Sequence, residues 1–249
     1  MKTKIHAVFF SPTGNTRKCV EAMAHSLGEN VEVSDITVHA PDEDIVFSAD
    51  DVVVFGTPVY VGRIPCVAAE RLKKFRGQNT PCLCVVTFGN RDFDDALLEL
   101  ADWAENSGFV VKGAAALVGR HTYGTIQTDR PNELDLAESA EFAKKALNNP
   151  SRLQSQIPGK RPYREGGQGG KFRPLTSDAC IHCGLCVKFC PVHAIADDCK
   201  TINNSCLSCF RCLRICPVRA KNMNTQEYNE FATAFSEKLK KSCNNRYFL

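Results

Sequence analysis

Eight of the nine cysteines between Cys180 and Cys216 constrain this chain of 249 residues more than any other feature. They fall in two copies of C-x2-C-x2-C-x3-C-P, CIHCGLCVKFCP and CLSCFRCLRICP, and each cysteine of the first copy returns 26 positions later in the second. Three thiolates this close in sequence surround one corner of an iron–sulfur cluster, while the fourth lies too far along the chain and ligates the neighbouring cluster. The spacing predicts two [4Fe-4S] clusters, one on Cys180, Cys183, Cys186 and Cys216, the other on Cys206, Cys209, Cys212 and Cys190. Pro191 and Pro217 fix φ after each fourth cysteine and let the chain turn away. Structural zinc is disfavoured, because it takes two separated cysteine pairs rather than three crowded thiolates with a fourth crossing over.

The remaining composition is that of a globular protein, 43% hydrophobic and 24% charged. The N-terminal IHAVFF run is too short for a signal peptide, so neither an oxidising compartment nor a disulfide framework is expected. No apolar run approaches the roughly 18 residues that cross a bilayer. A cytoplasmic protein without a transmembrane segment is the expectation. Residues 1–149 carry 15 Lys and Arg against 21 Asp and Glu, whereas residues 150–249 carry 16 against 7. The basic half holds the cysteines, and Lys188, Arg211, Arg214 and Arg219 are candidate counter-charges for the clusters. No nucleic-acid-binding motif or aromatic platform accompanies those charges, so nucleic acid is not an expected partner.

Short β-branched runs alternate with helical patterns through the first half. Strands are expected at Lys4–Phe10, Val31–Ile36, Asp51–Pro58, Pro81–Gly89 and Gly108–Val118, the continuous apolarity marking parallel strands covered on both faces. Helices are expected at Asn15–Leu27, Pro65–Phe75, Phe93–Asn106 and Glu133–Leu147. The pattern predicts a doubly wound α/β sheet of five parallel strands, with its ligand beyond their carboxyl ends. The loop after the first strand, SPTGNT, offers hydroxyls at Ser11, Thr13 and Thr16, the amide of Asn15, a permissive Gly14 and a following helix N-terminus. Such a loop suits a phosphate monoester, although a Ser/Thr-rich helix cap uses the same residues. It lacks the GK[ST] ending of a triphosphate site.

Three loops together, SPTGNT, TPVYVGRIP and TFGNRDFDDAL, resemble the FMN-binding loops of the flavodoxin family, of the short-chain type, over about residues 2–148. The cysteine segment resembles bacterial two-cluster ferredoxins, and the whole chain resembles flavodoxin–ferredoxin fusion proteins of anaerobic prokaryotes, with a small α+β ferredoxin-like domain. The resemblance implies FMN contacts at Thr57, Pro58, Val59, Tyr60, Val61 and Gly62 and at Thr87, Phe88, Gly89, Asn90, Arg91, Phe93 and Asp94, besides the first loop. Tyr60 is the aromatic candidate for the flavin face, and Gly89, Asn90 and Arg91 the backbone donors for its polar edge.

The boundaries read as a flavodoxin-like domain at 1–148, a Gly/Pro-rich linker at 149–175, a ferredoxin-like domain at 176–224 and a C-terminal amphipathic helix with tail at 225–249. GGQGG at 166–170 is the expected flexible point. Tyr228, Phe231, Phe235 and Leu239 make one face of the last helix, with Thr225 as its cap. The opposite charges of the halves predict docking steered by charge across a tether, and the rival is an apolar interface through Phe231 and Phe235. Cys19, Cys82 and Cys84 are expected in the core, Cys66 is accessible, and Cys199 and Cys243 fall outside the eight-cysteine register. His182 and His193 are spare beside the clusters, and His121 is expected on a surface loop, with a place near the flavin as the alternative.

The expected function is electron transfer among FMN, two [4Fe-4S] clusters and a protein redox partner. No G-x-G-x-x-G follows a strand, so no nicotinamide module is expected. Reduction of a small substrate at the flavin and redox or iron sensing are the alternatives, and oligomeric state is not legible.

Overall fold

The computed structural model describes residues 3–153 and 156–249. In chain order its first half runs β1 (Ile5–Phe9), α1 (Asn15–Leu27), β2 (Val31–Asp35), β3 (Ile45–Phe47), β4 (Val52–Pro58), α2 (Cys66–Leu72), β5 (Phe75–Gly77), β6 (Thr80–Phe88), α3 (Ala96–Asn106), β7 (Phe109–Val118) and α4 (Glu133–Asn148). The second half contains β8 (Leu175–Thr176), α5 (Leu185–Lys188), α6 (Arg211–Ile215), β9 (Lys221–Asn222), α7 (Gln226–Lys238) and β10 (Arg246–Phe248).

The main sheet has the order β2-β1-β4-β6-β7-β10, parallel except for its last strand. With the short β3–β5 pair set aside, the parallel strands follow the order 2-1-3-4-5, that of flavodoxin-like doubly wound sheets. Alternation along each strand divides the core. Val53 and Phe55 of β4 and Cys82, Cys84 and Val86 of β6 face α2 and α3, while Val52, Val54, Leu83 and Val85 face α1 and α4. Each large apolar side chain buried here contributes about 1.5–3 kcal/mol relative to exposure. Cys19 joins the second face from α1, and burial pushes its thiol up to about 12, so it behaves as a small hydrophobe. Gly56 is required where β4 meets α1, because a Cβ there would lie 2.2 Å from Cγ2 of Val20.

Local structure in the ferredoxin region repeats at the sequence offset. Left-handed residues pair as His182 with Ser208, Gly184 with Phe210, and His193 with Arg219, each pair 26 positions apart. Gly184 and Phe210 start α5 and α6. The amide of Ala194 donates to Sγ of Cys190 at 3.3 Å, and that of Ala220 to Sγ of Cys216 at 3.2 Å.

The segment expected as a flexible linker is laid along the first domain over much of its length; residues 154 and 155 within it lie outside the described residues. Leu153 N donates to Val111 O, Lys160 N and Arg164 N donate to the two carboxylate oxygens of Asp95, and Arg161 grips Asp102 with two hydrogen bonds. Gly167, in the expected flexible point, exchanges backbone bonds with both Tyr60 and Cys66. The expected C-terminal tail also does more than trail: β10 adds an antiparallel edge to the sheet, pairing Tyr247 with Ala115.

Aromatic rings, with Phe231 and Phe235 among them, meet where the halves come together. Tyr123 meets Phe172, Phe210 and Phe231 at ring distances of 5.5, 5.3 and 5.9 Å, and Phe235 of α7 meets His121 at 5.1 Å. Thr225 caps α7 by accepting from Tyr228 N. No helix among the described residues is long and apolar enough to cross a membrane.

Candidate functional site

A cavity opens beyond the carboxyl ends of β1, β4 and β6, where a doubly wound sheet binds its ligands. Ser11, Thr13, Asn15 and Thr16 line it from the first loop, Pro58, Val59 and Tyr60 from the second, and Thr87, Phe88 and Gly89 from the third. The loops are tied together: Thr16 and Thr87 share a hydroxyl–hydroxyl bond of 2.6 Å. Gly14 holds φ +90° with open space around it, which lets the chain turn directly into α1. Ser11 Oγ accepts from the amide of Arg17 at 3.0 Å, so this hydroxyl serves the helix start while its proton stays free to donate.

A fourth segment completes the lining, Gly119 to Thr122 after β7. Asn15 Nδ2 donates to Arg120 O at 3.0 Å, and the buried Nε of Arg120 has no hydrogen-bond partner among the described residues. Arg214 lies within reach of the Arg120 charge. A hydroxyl-rich helix start with an orphaned guanidinium nitrogen suits a phosphate monoester, so the residues present fit the phosphate end of FMN.

His121 is not on an exposed loop. It lines the cavity, its ring is wedged between Tyr123 and Phe235, and its Nδ1 accepts from Tyr123 N at 2.8 Å. Burial lowers its pKa to about 4, with the Arg91 charge acting the same way, so the imidazole is neutral with Nε2 as its donor. Gly89 must be glycine beside it, since a Cβ would lie 2.2 Å from Cδ2 of His121. The sequence signal for this residue was its position just after the fifth parallel strand.

Several of the expected FMN contacts serve the scaffold around the cavity. Asn90, 2% exposed, donates to Leu239 O and Lys241 O and accepts from Cys243 N, which pins the C-terminal segment. Arg91 pairs with Asp94, and Phe93 packs edge-on against Phe88. Thr57 is fully buried, and Val61 and Gly62 form the left-handed turn between Tyr60 and Arg63. Cys66 is exposed beside this turn.

The motif cysteines gather beside the cavity. Burial pushes the thiols of Cys209 and Cys212 up to about 12, with Cys190 and Cys206 among the neighbours acting the same way on both. Cys190 is thus among the thiols within electrostatic reach of Cys209 and Cys212. Cys186 has Cys199 and Cys180 as neighbours, and the ligating atoms of Cys180, His182 and Cys199 lie within 4.8 Å of one another. Cys199 is thus a ninth thiol in the first pocket, 1% exposed. Amides directed at Cys190, Cys206 and Cys216 suit thiolate sulfurs, so the donor set fits iron–sulfur ligation.

The two sites touch. Burial, followed by the charge of Cys209, raises the Tyr60 hydroxyl well above its ordinary value, with Tyr123 and Cys206 adding to the shift. Arg211, between Cys209 and Cys212, donates to Pro12 O in the first loop at 3.2 Å. Arg71 of α2 donates to Pro191 O at 2.6 Å.

Residues 7–96 match the model of a flavodoxin domain, and residues 175–196 match that of a 4Fe-4S binding domain. An uncharacterized protein of Methanocaldococcus jannaschii is 28% identical over 142 residues, which cover 54% of this chain and 91% of that protein. A solved flavodoxin from the domain Archaea aligns with 59% of this chain and 100% of its own at 15% identity and a TM-score of 0.43. The flavodoxin of Streptococcus pneumoniae TIGR4 aligns with 58% of this chain and 98% of its own at 18% identity and a TM-score of 0.41. With a flavodoxin-type strand order around one site and a cysteine motif at the other, the chain joins an N-terminal flavodoxin domain to a C-terminal 4Fe-4S ferredoxin motif, a pairing that supports redox electron transfer.

Proposed function

We propose that this chain is an electron-transfer protein that holds FMN in the cavity and two [4Fe-4S] clusters on its eight motif cysteines, and exchanges electrons with a protein partner. The observation that carries the reading is adjacency: Tyr60 lines the cavity and also lies within electrostatic reach of Cys206 and Cys209. FMN supplies chemistry in one- or two-electron steps and the clusters in single-electron steps. The protein supplies the rest. Ser11, Thr13, Asn15, Thr16 and Arg120 would hold the phosphate, Tyr60 would cover the ring, and the aromatic cluster around Tyr123 excludes water from the junction.

The set of Cys180, Cys183, Cys186 and Cys216 would face the partner. Cys183 is exposed, and the exposed apolar side chains of Ile181 and Val218 neighbour this set in sequence. We place the domain limits at 1–148 for the flavodoxin-like domain, 149–175 for the connecting segment, 176–224 for the ferredoxin-like domain and 225–249 for the terminal helix and tail.

A second reading, reduction of a small molecule at the flavin, is favoured by the neutral His121 in the cavity wall. Anaerobic stopped-flow mixing separates the two. Electron exchange with reduced ferredoxin-type carriers, without steady small-molecule turnover, is expected. Turnover of a small oxidant with no exchange to any carrier would reject the carrier reading.

A further inference from the structure

Lys221 begins β9 and pairs across the two-stranded sheet with Thr176 of β8. The residue is 4% exposed, and its Nζ is buried with no hydrogen-bond partner among the described residues. Lysine is almost never fully buried unless it is paired, because an ion removed from water costs several kcal/mol even after the protein relaxes. A buried ammonium needs an anion. Asp198 lies within its electrostatic reach, but that carboxylate is exposed and already accepts from the hydroxyl and amide of Thr201 and from Lys200 N.

The other groups that feel this charge are thiols from both sets. Burial pushes the Cys186 thiol up to about 11, and Lys221 opposes that shift. It acts in the same direction on Cys206 and Cys212, and its backbone amide donates to Cys216. Cys186 and Cys216 belong to the first proposed ligand set, Cys206 and Cys212 to the second. Lys188 and Arg219, which the sequence offered as counter-charges, are exposed, and Arg211 is turned toward Pro12.

We propose that Lys221 is the shared counter-cation of the two iron–sulfur centres, buried between their ligand sets, and that its charge raises the reduction potential of both. The inference rests on the two-cluster reading above. A cluster held by four thiolates is a net anion that gains a further negative charge on reduction, and net charge is one of the levers that set its potential. A fixed cation in a low-dielectric interior favours the more negative state, and one within reach of both centres moves both the same way. Two one-electron carriers kept close in potential suit service to one two-electron cofactor.

The test compares wild type with Lys221→Met, which removes the charge at similar length, and Lys221→Arg, which keeps it. Each full-length protein is purified anaerobically, assayed for iron and acid-labile sulfide, and titrated potentiometrically with EPR detection of the reduced clusters. Wild-type iron content is expected in all three. Lys221→Met should shift both cluster potentials to more negative values by comparable amounts and the flavin potential less, and Lys221→Arg should stay near wild type. Unmoved potentials, or a shift confined to one cluster, would overturn the proposal. If Lys221→Met takes up no iron, iron content decides: retention in Lys221→Arg with loss in Lys221→Gln supports the charge, and any other pattern rejects it. A wild-type chain with a single cluster contradicts the two-cluster reading instead, and an unmoved potential of that cluster in Lys221→Met would still reject the cation.

Discussion

Serine at Cys190 and serine at Cys186 should each remove about half of the iron, and from different clusters, although the two positions are four residues apart. The expectation follows from the ligand crossover, in which the third and fourth cysteines of one motif serve different cubanes. Cys190 lies within electrostatic reach of Cys209 and Cys212, and Cys180 within reach of Cys186. Each variant should retain about four of about eight iron atoms. EPR of the reduced proteins should show complementary spectra, each missing the signal that the other keeps. The same signal lost from both variants would reject the assignment.

Tyr123→Ala should have the next largest effect. The ring belongs to the loop after β7 but is packed by Phe172 from the connecting segment, Phe210 from the second cysteine motif, and Tyr228 and Phe231 from α7. Its removal leaves a void among groups contributed by separate parts of the chain, at a cost of about 3 kcal/mol, the lower end for truncating a large aromatic. Thermal unfolding of the loaded protein should begin earlier in the ferredoxin region, where absorbance of the clusters reports it, than in the flavodoxin domain. An unchanged melting profile would mean that the halves are not held together through this ring.

What could be read in advance was what has a short-range period. The five parallel strands lie within two residues of their expected limits, because continuous apolar runs bounded by Gly, Pro and Ser leave little freedom. The helix stripes of α1 and α7 were equally plain. Cys82 and Cys84 alternate in a strand and lie in the core, as that alternation implies. The misses all depend on contacts made at long range. β10 has three residues and no period of its own; it exists because Ala114, Ala115 and Ala116 leave the edge of β7 open to Phe248, Tyr247 and Arg246.

Asn90 was read as a backbone donor from its loop; what the loop could not show is that its side chain is consumed by the C-terminal segment, 149 or more positions away. His121 looked exposed because its own loop covers it only through Tyr123; the rest of the cover is Phe235, from the end of the chain. Glycine and proline content suggested flexibility for the connecting segment, but Asp95, Asp102 and the turn at Tyr60 provide fixed partners along it. Lys221 carried no signal at all, since a lysine near a strand end usually reaches water.

The central claim is that one chain holds FMN and two [4Fe-4S] clusters in adjoining sites. Anaerobic purification followed by iron, acid-labile sulfide and flavin determination tests it most directly. The account predicts about eight iron atoms and about eight sulfides per chain, with one FMN released on denaturation. About four iron atoms, tightly bound zinc in place of iron, or a chain that binds riboflavin as tightly as FMN would contradict it.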